Sequence, residues 1–329
     1  MHELNPDLKN ILPNYKGNFT DENNLFINEE LPYTPNYLAD VVRLGLQKKP
    51  FFFEKIKDKF RLTVVSDTTF LAHNADVIVW LGHCSFFVRL AGVSMLIDPV
   101  FFGLSMFVPR KSALPLNPNV FKNIDYVLIS HNHRDHLDLK SLKLIVKNNP
   151  KTTLLTGLRN DVLLKSHFPS ATIQTAAWYQ QFNTLSGIEI VFLPTRHWSS
   201  RTLTDGNRTL WGSFMIKTNE KTLYFAADSG AANHFAKIGK LYPNIDFCFI
   251  GIGTYEPAWF MQPNHLSPQQ AAQMCNDTGA KNLIPMHYGT FDLSDEPISQ
   301  PLTLLKKLAD DHKINAKILP LNVGENLLF

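Results

Sequence analysis

The densest concentration of chemistry in this sequence is His131-Asn132-His133-Arg134-Asp135-His136, three imidazoles and a carboxylate within six residues. It follows the apolar run Tyr126-Val-Leu-Ile-Ser130, which reads as a buried strand, so the four groups sit where a chain leaves a sheet. Alternation lets His131 and His133 face the same way, and Asp135 and His136 then turn towards a second position. Burying such a cluster without a partner would be costly. One tetrahedral metal cannot use all four groups comfortably, whereas two metals sharing the loop can. Three more donors stand in the same context. His197 follows the run 188–194, Asp228 follows 221–226 and precedes Ser229-Gly230, and His287 follows 282–285. A lone histidine is usually a surface or satisfied core residue. Together these donors converge if the strand ends are neighbours. An imidazole-rich set with few carboxylates suits zinc, and a dinuclear iron site is expected to carry more carboxylate.

The elements that must position these donors begin near residue 62. Strands are expected at 77–81, 85–90, 94–98, 126–130, 152–156, 188–194, 210–217, 221–226, 247–250 and 282–285, with Ala91-Gly92 as a tight turn. Helices are expected near 137–147, 232–241, 267–278 and 301–312, the third with Ser267 as N-cap and Pro268 in its first turn. Strands alternating with helices make an α/β fold, in two halves that each place strands before helices. Residues 1–60 differ. They are rich in Asn, Pro and acidic residues, with one helical stretch near 37–47, and read as an irregular extension packed on a main body of 61–329.

Composition excludes several classes. Hydrophobic residues make up 44% of the 329 and charged residues 19%, enough apolar material for a large core and too much for global disorder. The net charge of +3 is spread along the chain, with no basic stripe for nucleic acid. Cys84, Cys248 and Cys275 include no CxxC pair, so a reducing, cytoplasmic compartment is expected, with Cys84 read as a small buried residue. The first residues, MHELNPDLKN, lack the pattern of a signal peptide, and no apolar run reaches membrane-spanning length.

The ordered donors resemble the metallo-β-lactamase superfamily over roughly residues 75–325. That resemblance implies a four-layer αβ/βα sandwich with two zinc ions at one edge of the facing sheets. It assigns His131, His133 and His197 to the first zinc, Asp135, His136 and His287 to the second, and Asp228 to both. A narrower resemblance, to the N-acyl-phosphatidylethanolamine-hydrolysing phospholipases D, is carried by Trp80-Leu-Gly-His83, Leu96-Ile-Asp98-Pro99, Ile129-Ser-His-Asn-His-Arg-Asp-His-Leu-Asp138, His197-Trp198-Ser-Ser-Arg201, Tyr255-Glu-Pro-Ala-Trp-Phe-Met261, His265-x-Ser267-Pro268 and Pro285-Met-His287-Tyr288-Gly-Thr-Phe291. It implies a phosphodiesterase of lipid metabolism that attacks with a hydroxide bridging the metals, with Asp135, Asp228 and His265 as catalytic residues.

Further expectations attach to this reading. His265 is a candidate to contact the substrate phosphate or protonate the leaving group, against a structural role at a helix entry. His83, Asp98 and Asp138 are candidates to orient ligands, and Trp198 and Tyr288 to line the pocket. Val100–Val108, ending in Pro109-Arg110-Lys111, and Pro50-Phe-Phe-Phe53, followed by Lys55 and Lys57, pair apolar with basic residues and could seat the chain on the inner face of a membrane, against plain core packing. A homodimer is also compatible with the sequence. The competing function is a zinc hydrolase of a soluble ester such as a phosphorylated sugar lactone. A non-catalytic scaffold on this fold would be signalled by a lost ligand, but all seven positions are filled. An apolar channel beside the metals would favour the phospholipid, and a small, basic, polar pocket the soluble ester.

Overall fold

A computed structural model of the chain describes residues 1–31 and 37–329. Two mixed sheets pack face to face. One runs in the order Asn326–Leu328, Val77–Gly82, Ser85–Leu90, Val93–Ile97, Tyr126–Ile129, Thr153–Gly157, Thr172–Ala176. The other runs Lys317–Ile318, Asn282–Met286, Phe247–Gly251, Thr222–Phe225, Ser213–Lys217, Glu189–Leu193, Gln180–Gln181, Lys9–Asn10. Each is antiparallel on one side and parallel on the other.

Period-two alternation sorts the side chains between layers. Along Val77–Gly82, Ile78 and Trp80 enter the core shared with the opposite sheet, while Val77, Val79 and Leu81 join a second core under the helices Leu139–Asn148 and Asn160–His167. On the outer side of the other sheet, Phe235, Ile238, Ala271, Cys275 and Leu305 bring the helices His234–Leu241, Pro268–Thr278 and Gln300–Asp310 into the larger core. Covering both faces is why the central strands read as continuous apolar runs. The result is the four-layer αβ/βα sandwich.

The expected tight turn is present: Ala91 and Gly92 both adopt positive φ, 51° and 78°, the pairing a two-residue hairpin loop requires. The expected strand at 210–217 starts only at Ser213. Leu210 and Gly212 instead donate their amides to Leu158 and Ser130 of the other sheet, at 2.9 and 3.1 Å, so this stretch ties the layers together. The helix Asn160–His167 and the strand Thr172–Ala176 add to the expected elements; the strand's Thr-Ile-Gln-Thr-Ala lies at an edge and carries no apolar run to announce it.

The N-terminal residues are stitched to the body. Lys9–Asn10 forms the edge strand beside Gln180–Gln181, and the Gln180 amide nitrogen donates to Asn5 O and Asn10 Oδ1 at 2.8 and 2.9 Å. The expected helix near 37–47 spans Tyr37–Leu46. Among the described residues no helix is long and apolar enough to cross a membrane.

Candidate metal centre and active site

The site forms where strands of both sheets end. Asp98 follows Val93–Ile97, His131 lies just past Tyr126–Ile129, Asp228 follows Thr222–Phe225, and His287 follows Asn282–Met286 directly. Carboxyl ends of parallel strands are where ligands gather in α/β folds. Several residues here hold left-handed backbone: His83 (φ 53°), Asp98 (40°), Ala227 (53°), Thr254 (66°) and His287 (61°). Non-glycine residues rarely adopt it, and such conformations concentrate at functional sites. Gly230 serves a close approach: a Cβ there would stand 2.2 Å from Pro263 O, and that contact brings the 262–265 segment against Asp228.

All seven expected donors converge, in two groups. Ligand atoms of His131, His133, His197 and Asp228 lie within 4.8 Å of one another, as do those of Asp135, His136, Asp228 and His287. In the first group His133 Nδ1 stands 2.9 Å from His131 Nε2 and 3.2 Å from His197 Nε2. Ligands about 2.0–2.1 Å from a tetrahedral cation are spaced by about 3.3 Å, so these nitrogens fit one. Asp228 Oδ2 reaches both groups, lying 3.9 and 3.8 Å from His131 and His197 Nε2 and 3.0 and 3.2 Å from His136 and His287 Nε2.

The remote ring nitrogens of four of the five imidazoles are held in place, that of His133 alone lacking a partner among the described residues. His131 Nδ1 is 2.9 Å from Ser130 Oγ, His136 Nδ1 2.7 Å from Asp98 Oδ2, His197 Nδ1 3.0 Å from Asn264 O and His287 Nδ1 3.2 Å from Thr254 Oγ1. Such outer contacts orient metal-binding imidazoles. Meanwhile His136 Nε2 and His287 Nε2 are buried with no polar neighbours but the Asp228 and Asp135 carboxylates. Imidazoles and carboxylates turned on one another at ligand spacing fit a pair of divalent cations.

The two groups differ in charge. Burial, reinforced by neighbouring imidazoles, pushes the His131 pKa well below its usual value, and burial does the same for His197 and lowers His133 to about 4. Burial also acts against charge on His136 and His287, but Asp228 and Asp135 overcome it, lifting His136 well above its usual value and His287 to about 9. Without metal, protons stand in for cations in the second group.

The other sequence candidates take varied places. Asp98, fully buried, accepts from the Ser130 amide at 2.8 Å and the Ser130 hydroxyl at 2.6 Å as well as facing His136. His83 Nε2 lies 3.1 Å from Asp135 Oδ2. Asp138 does not reach the ligands; it caps the helix Leu139–Asn148, accepting from Lys140 and Ser141 amides. Tyr288 is buried against Trp80, rings 5.3 Å apart, and does not line the cavity, whereas Trp198 does and packs edge-on against His133. His265 lines the same cavity with Nδ1 3.7 Å from Asp228 Oδ2.

Sequence reasoning missed the residues that brace this site. Asn28 pairs twice with His197, its amide donating to His197 O at 2.8 Å and its oxygen accepting from His197 N at 3.1 Å. Buried Glu296 accepts the amides of Thr254, Tyr255 and Glu256 at 2.6, 3.4 and 3.1 Å. Arg201 donates to Asn132 O and Leu137 O at 3.0 and 2.8 Å, clamping the ligand loop. These contacts span large sequence separations, and no local pattern announces them.

A cavity of about 750 Å³ opens over both groups. Leu104, Leu203, Phe260, Met261 and Leu293 give it apolar walls, and Arg134 and Arg201 line it together with Asp135 and Trp198.

A family model described as a β-lactamase superfamily domain matches residues 94–288. The chain belongs to the metallo-β-lactamase superfamily. It is 30% identical over 270 residues to the N-acyl-phosphatidylethanolamine-hydrolyzing phospholipase D 1 of Caenorhabditis elegans, covering 75% of this chain and 76% of that one. With the mitochondrial N-acyl-phosphatidylethanolamine-hydrolyzing phospholipase D of Saccharomyces cerevisiae it shares 29% identity over 245 residues, 70% of this chain and 51% of the yeast protein. Among solved structures, a metallo hydrolase from the archaeon Ignicoccus hospitalis superposes with a TM-score of 0.60 at 21% identity, covering 78% of this chain and 98% of that one. The chain is a metal-dependent hydrolase of this superfamily.

Proposed function

We propose that this metallo-β-lactamase-fold hydrolase is a two-zinc phosphodiesterase acting on N-acyl-phosphatidylethanolamine or a related phospholipid. The observation that carries the reading is the cavity: long apolar walls meet two guanidinium groups over the seven converging donors. That combination suits a phosphodiester anion carrying acyl chains better than a small polar ester. The nematode and yeast relatives are named for hydrolysing such a lipid, which supports the same class.

In this reading His131, His133, His197 and Asp228 hold one cation, and Asp135, His136, His287 and Asp228 the other. Bound there, the pair would polarise the phosphoryl oxygens and lower the pKa of a water to about 7. The chain's own residues do the rest. Asp228 fixes the spacing of the two groups. Asp98 holds the His136 ring and, through Ser130, the His131 ring. Arg134 and Arg201 meet the phosphate charge. Burial pulls the His265 pKa down to about 4 against the nearby Asp228, so the ring is neutral at pH 7 and serves as a hydrogen-bond partner for the phosphate, not as an acid for the leaving group.

The chain also carries a surface suited to peripheral membrane contact. Phe52, Phe53 and Ile56 are exposed beside Lys55 and Lys57, and Met106 and Phe107 are each 85% exposed just past Leu104 of the cavity wall. Sedimentation with anionic vesicles at low salt is expected, and failure to co-sediment would remove this part.

The activity is tested by offering the zinc-loaded protein an N-acylated phospholipid, a generic phosphodiester, a phosphomonoester and a lactone. Preference for the phospholipid is expected. Faster turnover of the lactone would replace this reading with that of a soluble-ester hydrolase.

A further inference from the structure

Cys84 lies beside this chemistry without belonging to either donor group. It is fully buried where the strand Val77–Gly82 doubles back into Ser85–Leu90, next to His83. One ligand atom each from His83, Cys84, His136 and His287 falls within 4.8 Å of the others, and all four residues are buried. His83 Nδ1 is buried without a hydrogen-bond partner, and His136 Nε2 and His287 Nε2 make no formed hydrogen bond, facing only the Asp228 and Asp135 carboxylates. Three imidazoles around one buried thiol make a donor set that a cation can fill.

We propose that the second metal position has an alternative, sulfur-containing cage, made of His83, Cys84, His136 and His287, that takes thiophilic cations. This rests on the two-cation reading of the site, because His136 and His287 belong to both cages and only one cation can use them at a time. The two cages differ in softness. Asp135 and Asp228 complete a set with two oxygens, suited to harder ions, whereas His83 and Cys84 complete a set of three nitrogens and a sulfur, suited to soft ones. On binding, the Cys84 S–H bond breaks, its proton and those carried by His136 and His287 pass to solvent, and one sulfur–metal and three nitrogen–metal bonds form. A cation in this cage takes a thiolate and the His83 ring in place of the Asp135 and Asp228 carboxylates as its ligands.

The test uses the metal-free full-length protein, titrated with cadmium and separately with manganese. Cadmium is expected to produce a sulfur-to-metal charge-transfer absorption in the ultraviolet that is lost in Cys84→Ser and Cys84→Ala. Its affinity should fall about tenfold or more in those variants, as when other parts of a metal site are removed, with manganese affinity unchanged. His83→Gln should weaken cadmium more than manganese, which loses only an outer contact to Asp135, while sparing the sulfur absorption, and it carries the test if the Cys84 variants do not fold. Cadmium bound without sulfur absorption, or an absorption that survives Cys84→Ser, overturns the proposal while leaving the two-cation reading intact. If neither ion binds, both fall.

Discussion

The two donor groups of the candidate metal centre share Asp228 and little else. The first gathers three imidazoles that burial keeps neutral, ready to coordinate without losing a proton. The second gathers two carboxylates and two imidazoles that those carboxylates hold protonated, with a thiol and a further imidazole behind them. Equal numbers of donors thus make one cage of neutral imidazoles around a single carboxylate and another of opposed charges. The first should behave as a permanent zinc site and the second as the site whose occupancy responds to pH and to the metal on offer.

The shared carboxylate gives the harshest way to break that contrast. Asp228→Ala should strip cation from both halves and cut hydrolysis by well over about 100-fold, more than the loss of an outer partner costs; elemental analysis that still finds full zinc would deny Asp228 its double role. Asp98→Asn should be selective. It loosens His136 directly and His131 only through Ser130, so affinity at the second position should drop about 10–100-fold and at the first by less.

Next in size is the effect of replacing His265. His265→Ala should keep its zinc and lose on the order of tenfold to a hundredfold in turnover, the worth of a hydrogen bond to a charged group. His265→Gln, which retains an N–H but cannot act as an acid, should recover most of it; a Gln variant as slow as Ala would return His265 to the role of proton donor.

Proton release sharpens the same contrast more gently. Both raised pKa values belong to the second half, so at pH 7 its imidazoles must surrender protons to bind metal, while those of the first half need not. Zinc added to weakly buffered metal-free protein should release few protons with the first equivalent and more with the second, and the second affinity should rise with pH through the region of about 9 set by His287. Equal release in both steps would mean the halves are electrostatically alike. The smallest expected effect is that of Asn28→Ala, which removes a paired contact to the His197 backbone and should weaken only the first position, by a few-fold for about 1 kcal/mol.

Donor types and short-range spacing are legible in the residues alone. Four groups in six residues after an apolar strand specify a ligand loop, because strand alternation and the following turn fix where neighbouring side chains face. Strand runs are legible too, since both sheet faces are covered and burial demands continuous apolar sequence. Asp138 and Tyr288 show the limit. Each flanks a ligand in sequence, yet one caps a helix and the other packs on Trp80, since adjacency along the chain does not say which layer a side chain enters.

What the sequence determined by itself, then, was the donor inventory and an α/β succession of strands and helices in two halves, with the αβ/βα layering implied by the resemblance those donors carry. Only the tertiary structure decided that Asn28 braces His197, that Glu296 anchors the Thr254 loop, that His83 and Cys84 stand behind the second donor group, and that apolar walls rise over the candidate donors. Those relations arise from two twisted sheets closing on one another, and contacts made across such a closure leave no trace in the spacing of residues along either strand.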